Sequence, residues 1–133
     1  MASASNLVGS NLIKAGDNLR IDQISFLSNQ TGADITVLTR SGKGFVEDLT
    51  FISPGNSSTL FLTVNSIKVT IDGAAERTFN FATSQLYRGI AGVLYIVTKT
   101  LPINYNTSIT VKVNYDTNAA TTDAKCYVTH SIR

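Results

Sequence analysis

The stretch Ser58–Phe81, STLFLTVNSIKVTIDGAAERTFNF, most narrows what this chain can fold into. Ile67, Val69 and Ile71 alternate with Lys68 and Thr70, the two-residue period of a strand with one dry face and one wet face. Asp72-Gly73 follows and predicts a tight turn, because glycine accepts positive φ and aspartate can hydrogen-bond its own backbone. Phe79 and Phe81, on either side of Asn80, resume the alternation on a return strand. A hairpin this apolar is not stable alone in water and needs a second layer to cover it.

Strands recur at short intervals on both sides of that hairpin. Leu19–Leu27 carries Leu19 and Ile21, then Ile24 and Phe26; the phase slips near Asp22-Gln23, which predicts a bulge. A turn cluster at Ser28–Gly32 leads to a second strand, Ala33–Arg40, and Ser41-Gly42-Lys43-Gly44 makes another tight turn. Phe45–Ile52 is a third strand, ended by Pro54-Gly55-Asn56. Ala82–Gly92 reads as irregular, and Ile90–Val97 as a nearly continuous apolar strand. Pro102 lacks an amide donor and marks an edge or a strand start. Ser108–Tyr115 has the cleanest alternation, with Ile109, Val111, Val113 and Tyr115 on one face, and Cys126–Ile132 closes the chain.

About eight or nine strands with turns between them and no helix predict an all-β antiparallel sandwich or barrel. Ile67, Val69, Ile71, Phe79, Phe81, Ile109, Val111 and Val113 are expected inward. Residues 1–16 are expected to form an extended N-terminal arm that docks on a neighbour through Leu7, Val8, Leu12 and Ile13, with the sandwich domain spanning 17–133.

Composition excludes several functions. The 133 residues suit one domain, and charged residues make up only 15%, with Ser, Thr and Asn supplying polarity that favours strands and turns. Eleven Lys and Arg are scattered singly for a net charge of +2, so no nucleic-acid partner is expected. One cysteine precludes an internal disulfide. No signal peptide is expected from MASASNLVGSNLIKAG, and no apolar run approaches the ~20 residues of a membrane span. These features predict synthesis in a reducing cytoplasm without a membrane partner, and leave the sequons at Asn29, Asn56 and Asn106 as chance products of an Asn/Ser/Thr-rich chain.

No catalytic constellation is visible. His130 is the sole histidine and shares a strand face with Cys126, Val128 and Ile132, so a packed, hydrogen-bonded ring is expected. Cys126 and His130 lie too far apart along a strand for one zinc ion. Glu47 and Asp48 are adjacent and point to opposite faces. Asp116-Thr117-Asn118 lacks the glycine and closing glutamate of a calcium loop, and Ser41–Gly44 lacks the spacing of a phosphate loop. No enzyme activity, metal or cofactor is expected. Tyr87 and Tyr105, in Asn-rich surroundings, are the candidates for carbohydrate or receptor contact in an alternative reading as a binding module.

Ile67–Gly73 (IKVTIDG), Thr78–Phe81 (TFNF) and Leu101–Val113 (LPINYNTSITVKV) together resemble small β-sandwich virion proteins of tailed bacteriophages, among them head-decoration, head-fibre and tail-associated modules. The resemblance covers roughly the second half of the chain. It implies a jelly-roll-like sandwich without enzyme activity that is located in the virion. It also implies a homo-oligomer, a trimer first, docking on other virion proteins such as the major capsid protein. The residues supply a separate reason for association: Ile90, Val93, Leu94, Ile96 and Val97 place apolar side chains on both faces of one strand, and a small sandwich covers only one face of each sheet. Those five residues are the expected oligomer interface, the alternative being that the loop Ala82–Gly89 folds over the strand within one chain.

Overall fold

The computed structural model describes residues 18–53, 61–88, 95–118 and 124–133, the side chains at 61, 81–88 and 95 excepted. Eight strands follow one another: β1 (Asn18–Ser25), β2 (Ala33–Ser41), β3 (Gly44–Ser53), β4 (Phe61–Ile71), β5 (Arg77–Arg88), β6 (Tyr95–Tyr105), β7 (Ser108–Thr117) and β8 (Lys125–Ile132). They form two antiparallel sheets of four, ordered β1-β8-β3-β6 and β2-β7-β4-β5, called here sheets A and B. β1 pairs with β8, β2 with β7, β3 with β6 and β4 with β5. The chain is thus one long hairpin with its tip at β4–β5, rolled so that successive strand pairs alternate between the sheets. That is the double-sheet jelly roll.

At the tip, Ile71–Ala74 closes as expected: Asp72 and Gly73 have φ of 52° and 73°, and the Ala74 amide donates to the Ile71 carbonyl at 2.9 Å. Positive φ at both central positions is the turn whose twist matches paired strands. The Asp72 side chain does something the sequence did not indicate. Its Oδ1 accepts from the backbone amides of Asn106, Thr107 and Ser108 at 2.9, 2.7 and 3.2 Å. The aspartate therefore ties its own hairpin to the β6–β7 turn rather than bonding only locally. Those donors, Thr107 first, hold its carboxyl below the usual carboxylate range.

The core lies between the sheets. Val111 and Val113 on β7, Val64 and Val69 on β4, and Leu49, Cys126 and Val128 on sheet A are all buried. The Phe26 ring packs on Tyr115 with centroids 4.7 Å apart. Bulges set which side chains reach this interior. Val37 is an extra residue in β2 against β7, so Val37 and Leu38 are both buried.

Three expectations are corrected. The phase slip in β1 is not a bulge, because Asn18–Ser25 pairs with β8 without a register shift. Ile24 faces the core, while Leu19 and Ile21 lie on the outer face, 53% and 67% exposed. Residues 82–88, read as irregular, belong to β5. Of the expected Ile90–Val97 strand, residues 90–94 lie outside the described residues and 95–97 belong to β6, which runs on through Pro102. Pro102 stays in the strand because β6 is a sheet edge and bulges there, Leu101 and Pro102 standing against Glu47 alone. Phe79 pairs with Ile67 and so shares its face, yet is 46% exposed, since β5 is also an edge. Residues 1–17, with Leu7, Val8, Leu12 and Ile13, lie outside the described residues, as does the turn at Pro54-Gly55-Asn56.

Candidate functional site

Register decides which side chains each sheet presents outward. On sheet B the outward residues of neighbouring strands are joined to one another. Lys68 Nζ on β4 lies 2.8 Å from Asp34 Oδ2 on β2. Asn114 on β7, between them, donates to Asp34 Oδ1 at 2.8 Å and accepts from Asn65 at 3.0 Å. Lys112 and Glu76 approach to 3.7 Å. The hydrogen bond from Lys68, then that from Asn114, holds the Asp34 carboxyl below its usual range. Over β2, β7 and β4 this is a surface finished for water.

Sheet A is different. Its outward rows read Leu19, Ser131, Phe45, Asn104, then Ile21, Thr129, Asp48, Thr100, then Gln23, Tyr127, Thr50, Thr98, and Ser25, Lys125, Ile52, Ile96. Leu19, Ile21 and Ile96 are more than half exposed. Phe45 is buried although it stands apart from the core cluster; the Arg133 guanidinium lies 4.5 Å above its ring. Exposed apolar side chains thus sit at both margins of this face, on the edge strands β1 and β6.

The titratable groups of the interior are structural. His130 and Cys126 face inward together, as their spacing predicted. His130 Nε2 lies 3.2 Å from Asp22 Oδ2, but without the alignment of a hydrogen bond, and neither ring nitrogen is hydrogen-bonded among the described residues. The expected hydrogen-bonded histidine is therefore packed, with Asp22 as its polar neighbour and no aligned hydrogen bond among the described residues. Burial lowers its pKa, opposed by the Asp22 carboxylate. Burial pushes the Cys126 thiol up to about 12, which removes it as a nucleophile at neutral pH. Grooves indent the surface among the described residues. One of about 410 Å³ runs between β1 and β2 from Ile21 to Thr39, and one of about 340 Å³ lies beside the β4–β5 turn. The first is lined by one carboxylate, Asp22, and the second by Asp72 and Arg77.

The expected contact residues scatter. Tyr105 is 1% exposed and packs in the core over Gly44. Asn106 on one flank opens a turn, but Asn104 lies in β6 and the tyrosine itself ends that strand and points inward, so it offers no surface to a sugar. The Tyr87 side chain lies outside the described residues, as do Ile90, Val93 and Leu94. Of the expected interface, Ile96 points outward and is 57% exposed, while Val97 packs against the core. Leu19 and Ile21 were missed. The signal was present in the β1 phase slip, since apolar residues on both faces of a strand produce the same pattern as a bulge.

No protein-family model and no curated protein matches the sequence. Solved structures of infectious bursal disease virus are similar. For the Gx strain the identity is 15% over 88% of this chain and 32% of that chain, with a TM-score of 0.47. For the Gt strain the identity is 14% over 90% and 34%, with a TM-score of 0.46. The VP2 subviral particle of the same virus gives 15% over 90% and 33%, with a TM-score of 0.43. This chain spans about a third of the length of each. None of the three comes from a tailed bacteriophage. The jelly-roll assignment stands on the strand pairing of this chain itself.

Proposed function

We propose that this chain is a non-enzymatic structural protein of a virion, which assembles as a homo-oligomer and docks on other virion proteins. The observation that supports the reading most is the contrast between the outer faces. The described outward side chains of β2, β7 and β4 in sheet B are joined and polar, while sheet A leaves Leu19, Ile21 and Ile96 bare at its two margins. Apolar side chains displayed on a small domain mark contact surfaces. The eight-stranded double-sheet roll agrees with this, being an architecture of virus particles, though it also serves lectins, and a fold by itself does not assign function.

The finer placement follows the sequence resemblance over Ile67–Val113. It reads the chain as a capsid-decoration, head-fibre or tail-associated component of a tailed bacteriophage, made in the host cytoplasm, with the major capsid protein among its partners. A trimer is the first expectation, with Ile96 on its interface. The carbohydrate-binding alternative loses Tyr105 to the core and has no described contact in its favour.

Sedimentation velocity at low micromolar concentration tests the reading. The expected result is an oligomer that Ile96→Glu weakens while the circular dichroism of the domain is unchanged. A monomer whose mass Ile96→Glu leaves unaltered overturns it. Saturable binding on a glycan array favours the alternative.

A further inference from the structure

We propose that β1 is the strand through which two copies of this chain join, β1 antiparallel to β1, so that their two A sheets become one. The proposal rests on the homo-oligomer reading above, but on neither the trimer nor the virion.

The first observation is that three of the four edge strands are irregular. β2 carries the extra residue Val37. β6 bulges at Leu101-Pro102, where proline also removes an amide donor. In β5, residues 81–84 stand against Asn65 alone. Such interruptions break the straight row of amides and carbonyls that another chain would read. β1 has none, pairing with β8 over all 8 of its residues without a shift and containing no proline or glycine. Its outward side chains Leu19 and Ile21 are exposed. A regular edge that no described strand covers, with apolar side chains exposed along it, is a template for strand addition.

The second observation identifies the occupant, because β1 is complementary to itself. With a two-fold axis at Ile21, that residue stands opposite Ile21 of the second copy on the outer face. Arg20 then stands opposite Asp22 of the second copy, and by symmetry Asp22 opposite Arg20, on the other face. Leu19 stands opposite Gln23. Shifting the pairing by one residue removes both charge pairs, and shifting it by two sets Arg20 against Arg20 or Asp22 against Asp22. Opposite charges across a strand pair favour a register and like charges disfavour it. Both groups are accessible: Arg20 is exposed, and the Asp22 side chain is 46% exposed despite its contact with His130. The groove between β1 and β2 lies on the same side as these charges and leaves that approach open.

Site-directed cross-linking tests the register. Cys126 is fully buried, so an added thiol on β1 reacts alone. Directly opposed side chains have Cβ atoms about 5 Å apart, within disulfide reach, whereas two copies of residue 23 would lie about 13 Å apart along the strands. Ile21→Cys should therefore oxidise to a covalent dimer much faster than Gln23→Cys. Asp22→Arg should lower the dimer fraction in sedimentation, and adding Arg20→Asp should restore it. Equal rates for the two cysteine variants, or a double variant that stays dissociated, overturn the proposal. The cysteine pair remains decisive even if Asp22→Arg impairs folding. A dimer cross-linked at Ile21 that Ile96→Glu does not affect would leave this contact standing and remove the trimer expected through Ile96. An Ile96-dependent trimer without the Ile21 cross-link would do the reverse.

Discussion

On the outer face of sheet B, Asp34, Lys68, Asn65 and Asn114 belong to three adjacent strands and hold one another at 2.8–3.0 Å. On the outer face of sheet A, the Thr50–Thr98 hydroxyl pair at 2.9 Å and the bond from Arg133 to Asn104 at 3.2 Å join neighbours singly, and Leu19, Ile21 and Ile96 stand exposed at the margins. Both faces belong to one small sandwich and share one core, so folding alone does not require them to differ. The contrast teaches that a shared core leaves the two outer faces free to diverge, one cross-linked by polar side chains and the other bare and apolar at its margins.

The comparison breaks altogether if the shared core is breached. Val111 is fully buried between Leu38 and Val69 in sheet B. Val111→Asp should cost about 3–5 kcal/mol, the penalty of an uncompensated buried charge, and leave the chain largely unfolded. Soluble protein with unchanged melting would show that the register of β7 is wrong.

A smaller loss is expected at Gly44. A Cβ there would overlap the Ser131 carbonyl oxygen and the Tyr105 hydroxyl. Overpacking of this kind costs about 1–3 kcal/mol, and Gly44→Ala should lower the melting temperature accordingly. Gly42→Ala, whose Cβ would meet nothing but whose φ is +96°, separates backbone strain from side-chain collision.

Acid should act on the two sheets in sequence. His130 in sheet A has a folded pKa below its ordinary value, so the unfolded chain takes up the proton first. Its contribution is fully present above the ordinary histidine pKa of about 6.5 and is lost as pH falls through the folded value. Asp34 and Asp72 also have lowered folded pKa values; their contributions are present above the ordinary carboxylate range and fall away below it. Thermal melts should therefore decline in two steps, and His130→Gln should flatten the upper one. A single step confined to the carboxylate range would place no titration at His130.

The smallest effects should sharpen the contrast most. Lys68→Met removes a surface ion pair and should cost between about 0 and 1 kcal/mol, with no change in sedimentation. Ile21→Thr should alter stability by less than about 0.5 kcal/mol, as surface substitutions usually do, but should reduce association. Equal sedimentation of the two variants would show that the faces do not differ in function.

Much of the fold was legible in the sequence where a strand is central and its neighbours are near. The alternation of β4 and β7, the Asp72-Gly73 turn and the inward placement of Val128 and His130 follow from local period and turn chemistry, and each agrees with the structure. What local period states is that a strand has two faces. It does not state whether a face is covered, because covering depends on where the strand lies in its sheet, and that position comes from pairing between distant segments such as 18–25 with 125–132. Hence Phe79, in phase with Ile67 but on an edge, stays exposed, and Tyr105, flanked by asparagines, is buried over Gly44. Leu19 and Ile21 resembled one half of a bulged core strand until the unbroken β1–β8 register placed them on the outer face. The sequence by itself determined the strands, most of their inward sides and the tip of the hairpin. The tertiary roll alone decided which strands became edges, and with them which apolar side chains remained available for contact.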